Sequence, residues 1–147
     1  MIVVDASVAV KWFLNEPFSD DAIALLSMDE KLLGPQLAAY EVAGAFVRAR
    51  RRGDITDAEL TGFTNRWIAT IAANILFLNY VPDDLHRASA LAAALAHPLA
   101  DCVYLAMAER LNAPLVTADM VFFEKVASGF PFVNFVADVS SGVAGAG

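Results

Sequence analysis

The fold is decided by a short apolar stretch that ends in an acid, Met1-Ile2-Val3-Val4-Asp5-Ala6-Ser7. The β-branched run before Asp5 predicts a buried strand, and the next helix is expected to begin near Ser7 and to end near Leu14. The stretch Leu115-Val116-Thr117-Ala118-Asp119 repeats this pattern of a strand followed by an acid. Both acids are therefore expected at the carboxyl ends of strands.

The same alternation of short apolar strands and helices continues along the chain. Further strands are predicted at residues 31–35, 75–81, 115–117 and 132–135, with helices at 22–28, 37–51, 56–72, 83–96, 101–111 and 120–127. This pattern predicts an α/β fold with three layers, α/β/α, around a central and mainly parallel sheet. We expect a single domain over residues 1–139. Residues 140–147 are rich in Gly, Ala and Ser and are expected to form a flexible C-terminal tail.

The composition excludes several classes of protein. Of the 147 residues, 58% are hydrophobic and 18% are charged, which excludes an intrinsically disordered chain. A single cysteine excludes a disulfide scaffold. The apolar runs are shorter than the roughly 20 residues that a membrane-spanning helix needs, and no basic segment of a signal peptide precedes the first strand. We therefore expect a soluble, cytoplasmic protein that does not enter the membrane.

Four of the 17 acidic residues lie among apolar neighbours, namely Asp5, Glu41, Asp101 and Asp119. A carboxylate in such surroundings must be hydrogen-bonded, protonated, paired or bound to a metal ion. The carboxyl ends of parallel strands form the crevice in which α/β proteins bind ligands, and these acids are expected to gather there. Carboxylate oxygens without a Cys/His cluster favour Mg²⁺ or Mn²⁺. Taken singly, each acid could instead be a helix cap or part of a structural ion pair.

The same residues carry a resemblance to a known family. Val3-Val4-Asp5-Ala6-Ser7, Glu41 early in its helix, the run His97-Pro98-Leu99-Ala100-Asp101-Cys102-Val103-Tyr104-Leu105-Ala106-Met107-Ala108, and Leu115-Val116-Thr117-Ala118-Asp119 resemble PIN-domain proteins of the VapC toxin type. The resemblance implies a PIN-like fold and an endoribonuclease that depends on Mg²⁺ or Mn²⁺ and cleaves RNA. It also implies a cognate VapB-type antitoxin, and all four acids match the catalytic, metal-binding motif of the family. We expect a homodimer as well.

Several neighbouring residues are candidates for supporting this site. Ser7 could cap its helix or hold the Asp5 carboxylate, and Thr117 could be a β-former or support the same site. Arg48 follows Glu41 by seven residues, on nearly the same helix face and about 10 Å along the axis. Arg48 and Arg52 could contact RNA phosphates or an acidic segment of the antitoxin. Alternatively, they are a solvated helix end that complements the helix dipole.

Two other functions are compatible with a cluster of acids. A phosphatase with Asp5 as nucleophile would require a second acid two residues later, where Ser7 stands. A non-catalytic, Mg²⁺-binding receiver-like module would require an acid pair near the first strand. The net charge of −7 repels nucleic acid, so an RNA substrate requires a local basic patch or bridging cations.

Overall fold

Five parallel strands form one sheet at the centre of the protein. The structure is a computed structural model that describes residues 1–142. The strand order is β3-β2-β1-β4-β5, and every neighbouring pair is parallel. The strands are β1 (Ile2–Val4), β2 (Leu32–Pro35), β3 (Leu76–Asn79), β4 (Leu115–Thr117) and β5 (Val133–Phe135). The predicted parallel sheet is confirmed.

Helices connect the strands and cover both faces of the sheet, which confirms the predicted three-layer architecture. They are α1 (Ala6–Ala9), α2 (Ser19–Ala24), α3 (Leu37–Arg51), α4 (Asp57–Ala72), α5 (Asp84–Leu95), α6 (Leu99–Leu111), α7 (Met120–Val126) and α8 (Val136–Ser140). The start of α4 carries a complete capping box, in which Thr56 and Glu59 each bond to the other's backbone N–H. Within the described residues, no helix has the length and hydropathy of a membrane span.

The first two helices are shorter than the sequence predicts. Helix α1 ends at Ala9 and continues as a 3₁₀ turn over Val10–Trp12, and α2 passes into a 3₁₀ turn over Leu25–Ser27. The β-branched side chains at Val8 and Val10 disfavour a longer α-helix. The indole of Trp12 also donates a hydrogen bond of 2.9 Å to the carbonyl of Ala22, which ties the turn to α2.

The structure also defines two further boundaries. Helix α2 begins at Ser19 rather than at the predicted residue 22, and the Ser19 hydroxyl donates to the carbonyl of Leu14 and accepts from the backbone N–H of Glu16. Ser140, the first residue of the predicted tail, is the last residue of α8, and its hydroxyl donates to the carboxylate of Asp21. Residues 143–147 of that predicted tail lie outside the described residues.

The central strand and one buried helix position the candidate site. Strand β1 pairs with β2 on one side and β4 on the other, with Val4 opposite Val116. The chain leaves β1 toward β2 but later returns to β4, so the strand order reverses there and opens a crevice at the carboxyl ends. Helix α6 packs against β1, β2 and β4, and Cys102 and Tyr104–Ala108 are buried in this packing.

Candidate active site at the carboxyl ends of the strands

Asp5 follows the central strand directly and is the most deeply buried of the four acids. Its backbone N–H donates to the carbonyl of Val116 at 3.0 Å, which extends the pairing of β1 with β4 by one residue. That register places Asp5 beside Thr117. The Thr117 hydroxyl donates to Asp5 Oδ2 at 2.8 Å, and the Ser7 hydroxyl donates to the same oxygen at 2.6 Å.

Ser7 and Thr117 connect this carboxylate to the loop that follows β4. The backbone N–H of Ala118 donates to Ser7 Oγ, and that of Asp119 donates to Thr117 Oγ1, both at 3.0 Å. The expectation that Ser7 caps α1 is wrong, because Asp5 occupies the cap position and no side chain caps this helix. Instead, the two hydroxyls hold Asp5 and the Asp119 loop in one network.

Glu41 lies in the second turn of α3 and is held by the buried helix α6. The hydroxyl of Tyr104 donates to Glu41 Oε1 at 2.7 Å across 63 positions of sequence. Tyr104 is fully buried, so this bond satisfies its hydroxyl and orients the carboxylate. Burial and the charges of Asp5 and Glu41 raise the pKa of Tyr104, which therefore remains a hydrogen-bond donor.

Asp101 and Asp119 lie in or just before the first turns of their helices. His97 Nε2 and Asp101 Oδ2 are 2.6 Å apart, and the imidazole of His97 stacks on the ring of Phe122 with centroids 5.1 Å apart. Asp119 Oδ1 accepts from the backbone N–H of Phe122 at 3.0 Å, so Asp119 also caps α7. One oxygen of Asp119 is therefore committed to a local helix cap.

All four acids line one cavity of about 310 Å³. Lys11, Glu16 and Arg48 line the same cavity. A Cβ atom built on Gly44 would lie 3.4 Å from Arg48 Nη1, so the guanidinium folds back along α3. Arg48 is consequently close enough to Glu41 for its charge to lower the pKa of that carboxyl, although the two residues are two helical turns apart.

The cavity carries a concentration of negative charge. Burial raises the pKa of Asp5 to about 6, and the charges of Asp101 and Glu41 add to this rise against the two hydroxyl hydrogen bonds. Burial, with the charge of Asp101, also raises the pKa of Glu41. Within residues 1–142, no three His, Cys, Asp or Glu side chains already lie together as a ready-made metal site. The four carboxylates surround the cavity but do not converge on a single point.

Arg52 does not reach this cavity. Its Nε donates to Asp54 Oδ2 at 2.9 Å, and it lines a neighbouring cavity with Asp54 and Glu59. Only Arg48 of the two predicted arginines therefore faces the four acids. Arg52 differs from Arg48 because an exposed acid two residues away, Asp54, pairs with its guanidinium.

Sequence reasoning missed four residues that belong to the site's surroundings. These are Tyr104, His97, Lys11 and Glu16. Tyr104 and His97 stand in the motif of the family resemblance but were given no role in the site, although they lie three and four residues from Asp101 and so share its helix face. Lys11 follows Ser7 by four residues and so shares its helix face, whereas no local pattern pointed to Glu16.

A comparison with protein-family models identifies the domain. Residues 2–128 match the model of the PIN domain. This chain belongs to the PIN-domain family. The match spans β1 to α7 and includes all four acids of the cavity. The resemblance derived from the sequence motifs is thereby confirmed.

Two similar proteins refine this relationship. The PIN domain is 31% identical over 124 residues to a protein named ribonuclease VapC3 from Pyrobaculum aerophilum, covering 84% of this chain and 93% of that relative. Its fold is similar to a chain of a toxin–antitoxin complex from Klebsiella pneumoniae, with a TM-score of 0.64 and 18% identity. That similarity covers 92% of this chain and 98% of the other, and at this identity it shows the fold alone.

Proposed function

We propose that this PIN domain is an endoribonuclease that depends on Mg²⁺ or Mn²⁺ and acts as the toxin of a toxin–antitoxin pair in the cytoplasm. The observation that carries the proposal is the cavity at the carboxyl ends of β1 and β4, which four carboxylates from different elements surround. The relative named ribonuclease VapC3 supports RNA as the substrate. The name of the toxin–antitoxin complex with a similar fold supports the biological setting.

The residues present fit a hard divalent cation. Their donors are carboxylate oxygens, and the raised pKa of Asp5 reflects a buried negative charge that a cation would stabilise. Mg²⁺ keeps several waters and binds through one or two protein carboxylates, so a ready-made three-ligand set is not required. We propose that Asp5, Glu41, Asp101 and Asp119 hold the cation, directly or through its bound waters, and support catalysis.

The chain's own residues orient these ligands and bind the substrate. Ser7 and Thr117 fix one oxygen of Asp5, and Tyr104 fixes one oxygen of Glu41, so the remaining oxygens can face the cavity. When bound, the cation would activate a water molecule and would stabilise the negative charge that develops on the phosphoryl oxygens and on the leaving oxygen. Arg48 supplies a positive charge at the wall of the same cavity.

The proposal is tested by cleavage of RNA with and without Mg²⁺ or Mn²⁺. Asp5→Asn and Asp101→Asn should each abolish metal-dependent cleavage while the folded structure, followed by circular dichroism, is retained. Asp29→Asn is the matched control, because it removes one negative charge at an exposed position outside the cavity. Cleavage at the wild-type rate by either site variant, or equal cleavage in EDTA, would overturn the assignment.

The proposed partner is a VapB-type antitoxin, which would be encoded beside this chain as a small basic DNA-binding protein. Production of the wild-type chain should arrest growth of the host cell, and Asp5→Asn should not. Co-production of the neighbouring small protein should restore growth and should inhibit RNA cleavage by the purified toxin. Growth arrest that persists in Asp5→Asn would separate toxicity from the proposed chemistry.

We also propose that the protein is a homodimer. An apolar groove of about 560 Å³ adjoins the candidate site, because Tyr40 and Ala100 in its wall precede Glu41 and Asp101. Tyr40 and Tyr80 at this groove are 74% and 71% exposed, and Leu85 is 49% exposed. Exposed apolar surface of this kind favours a protein interface. Sedimentation should show a dimer for the wild type and a monomer for Leu85→Glu; a monomeric wild type would refute this part.

A further inference from the structure

Lys11 is the one lysine that lines the carboxylate cavity among the described residues. It lies in the 3₁₀ turn after α1, between the buried Val10 and Trp12, whose indole is bonded to Ala22. Its side chain is only 11% exposed, so the aliphatic stem is packed and the position of the ammonium group is restricted. The fold therefore holds a positively charged side chain at the edge of the four acids.

The ammonium group of Lys11 is weakly engaged. Its Nζ lies 3.9 Å from Glu16 Oε1, whereas a charge-assisted hydrogen bond is about 2.7–2.9 Å long. Within residues 1–142, every buried polar side-chain atom has a hydrogen-bond partner, whereas the Lys11 ammonium group donates no hydrogen bond in that part of the chain. The ammonium group must therefore keep contact with water, and the cavity that it lines is the open space beside it.

Four of the six arginines outside the cavity are more tightly paired with acids. Arg50, Arg52, Arg87 and Arg110 each pair with an acid at 2.5–2.9 Å. Inside the cavity, Lys11 has a loose and 38% exposed counter-ion in Glu16, and Arg48 points along α3 toward Glu41. The cavity thus combines acids suited to a cation with two cations suited to an anion.

We propose that Lys11 binds a phosphodiester group of the substrate strand at the wall of the carboxylate cavity, and that Glu16 is its resting counter-ion. The inference rests on the proposed ribonuclease function and adds a substrate-binding residue to it. An ammonium group binds phosphate as a point charge through up to three hydrogen bonds. When the phosphodiester arrives, the Glu16 side chain can turn into water, because it is partly exposed.

The first test is the kinetics of RNA cleavage by Lys11→Met, which keeps an apolar stem and removes the charge. Its kcat/KM should fall about 10- to 100-fold, the size expected for the loss of a hydrogen bond between charged groups. Lys11→Arg should recover part of this loss. Lys31→Met is the matched control, because Lys31 lies 4.4 Å above the ring of Phe77, away from the cavity, and should change kcat/KM less than about twofold.

The second test uses Glu16 to separate phosphate binding from a structural ion pair. Glu16→Gln should lower KM for RNA about two- to fivefold, because the competing counter-ion is removed. The same substitution in the Lys11→Met background should have no effect on KM. A purely structural pair predicts the opposite, namely that Glu16→Gln and Lys11→Met both lower thermal stability and neither changes KM.

The third test requires no metal ion and no cleavage. Fluorescence anisotropy measures binding of a labelled oligothymidylate in EDTA to Asp5→Asn, whose cavity carries one negative charge fewer. Adding Lys11→Met should raise the dissociation constant about tenfold, and adding Lys31→Met should not. Equal dissociation constants for the variants that carry Lys11→Met and Lys31→Met, or no binding by either of these two variants, overturn the Lys11 assignment. Absence of RNA cleavage by the wild type in Mg²⁺ and Mn²⁺ would instead refute the proposed function, whatever the oligothymidylate result.

Discussion

Replacing Asp5 by Asn should stabilise the metal-free protein at neutral pH, although Asp5 lies at the centre of the candidate site. Burial, with the charges of Asp101 and Glu41, raises the pKa of Asp5 from 3.8 to about 6. A carboxyl group with a higher pKa in the folded state holds its proton more tightly when folded. Its ionisation therefore costs no stability below pH 3.8, and stability is lost as the pH rises from there through about 6.

The size of this loss follows from the shift in pKa. The rise in the pKa of Asp5 from 3.8 to about 6 lowers the unfolding free energy by about 3 kcal/mol once the pH exceeds both values. Asn does not ionise, so the Asp5→Asn variant does not lose this unfolding free energy. Both hydroxyl donors, Ser7 and Thr117, bond to the single oxygen Asp5 Oδ2, so the carbonyl oxygen of Asn can accept both of these hydrogen bonds. The substitution thus removes the charge and retains the local contacts.

Urea unfolding in EDTA at pH 4 and at pH 8 measures the effect. The difference in unfolding free energy between Asp5→Asn and the wild type should grow by about 2 kcal/mol between these pH values. With a slope of about 2 kcal/mol per molar urea, the midpoint difference should grow by about 1 M. Asp29→Asn, at an exposed position, controls for the change in net charge. A difference that stays constant or shrinks as the pH rises would refute the electrostatic account of Asp5.

Three further outcomes are expected. Mg²⁺ or Mn²⁺ should raise the melting temperature of the wild type by binding to the folded state, and Asp119→Asn should weaken this rise; an equal rise in both would remove Asp119 from the cation site. Arg48→Gln should reduce the slope of log affinity against log salt for single-stranded RNA by about 0.7. Arg52→Gln should leave this slope unchanged, because the Arg52 guanidinium pairs with an acid outside the cavity. Equal slopes for the two variants would refute this distinction. Tyr104→Phe should lower the unfolding free energy by about 1 kcal/mol, because Glu41 loses its 2.7 Å hydrogen bond. The same variant should bind Mg²⁺ more weakly, as measured by calorimetry. An unchanged affinity for Mg²⁺ would show that this hydrogen bond does not orient a metal ligand.

Local sequence patterns were sufficient for the main elements of the fold. The bounds of α3 at Leu37–Arg51 agree with the prediction, and the predicted helix over residues 56–72 agrees with α4, which Thr56 and Glu59 cap. These features depend on residues a few positions apart, where propensity, capping and hydrophobic spacing act. The placement of Asp5 and Asp119 after parallel strands follows from the same patterns together with the topology of α/β sheets.

The partners of each acid depended on the tertiary structure. Thr117 reaches Asp5, and Tyr104 reaches Glu41, across 112 and 63 positions of sequence, because β4 pairs with β1 and α6 packs beneath the sheet. The contact of Lys11 with Glu16 likewise depends on the chain path after α1, where a 3₁₀ turn replaces the regular helix that the sequence pattern predicts. Spacing along the sequence does not predict such long-range contacts. They arise only when the packed core fixes the directions of side chains from separate elements.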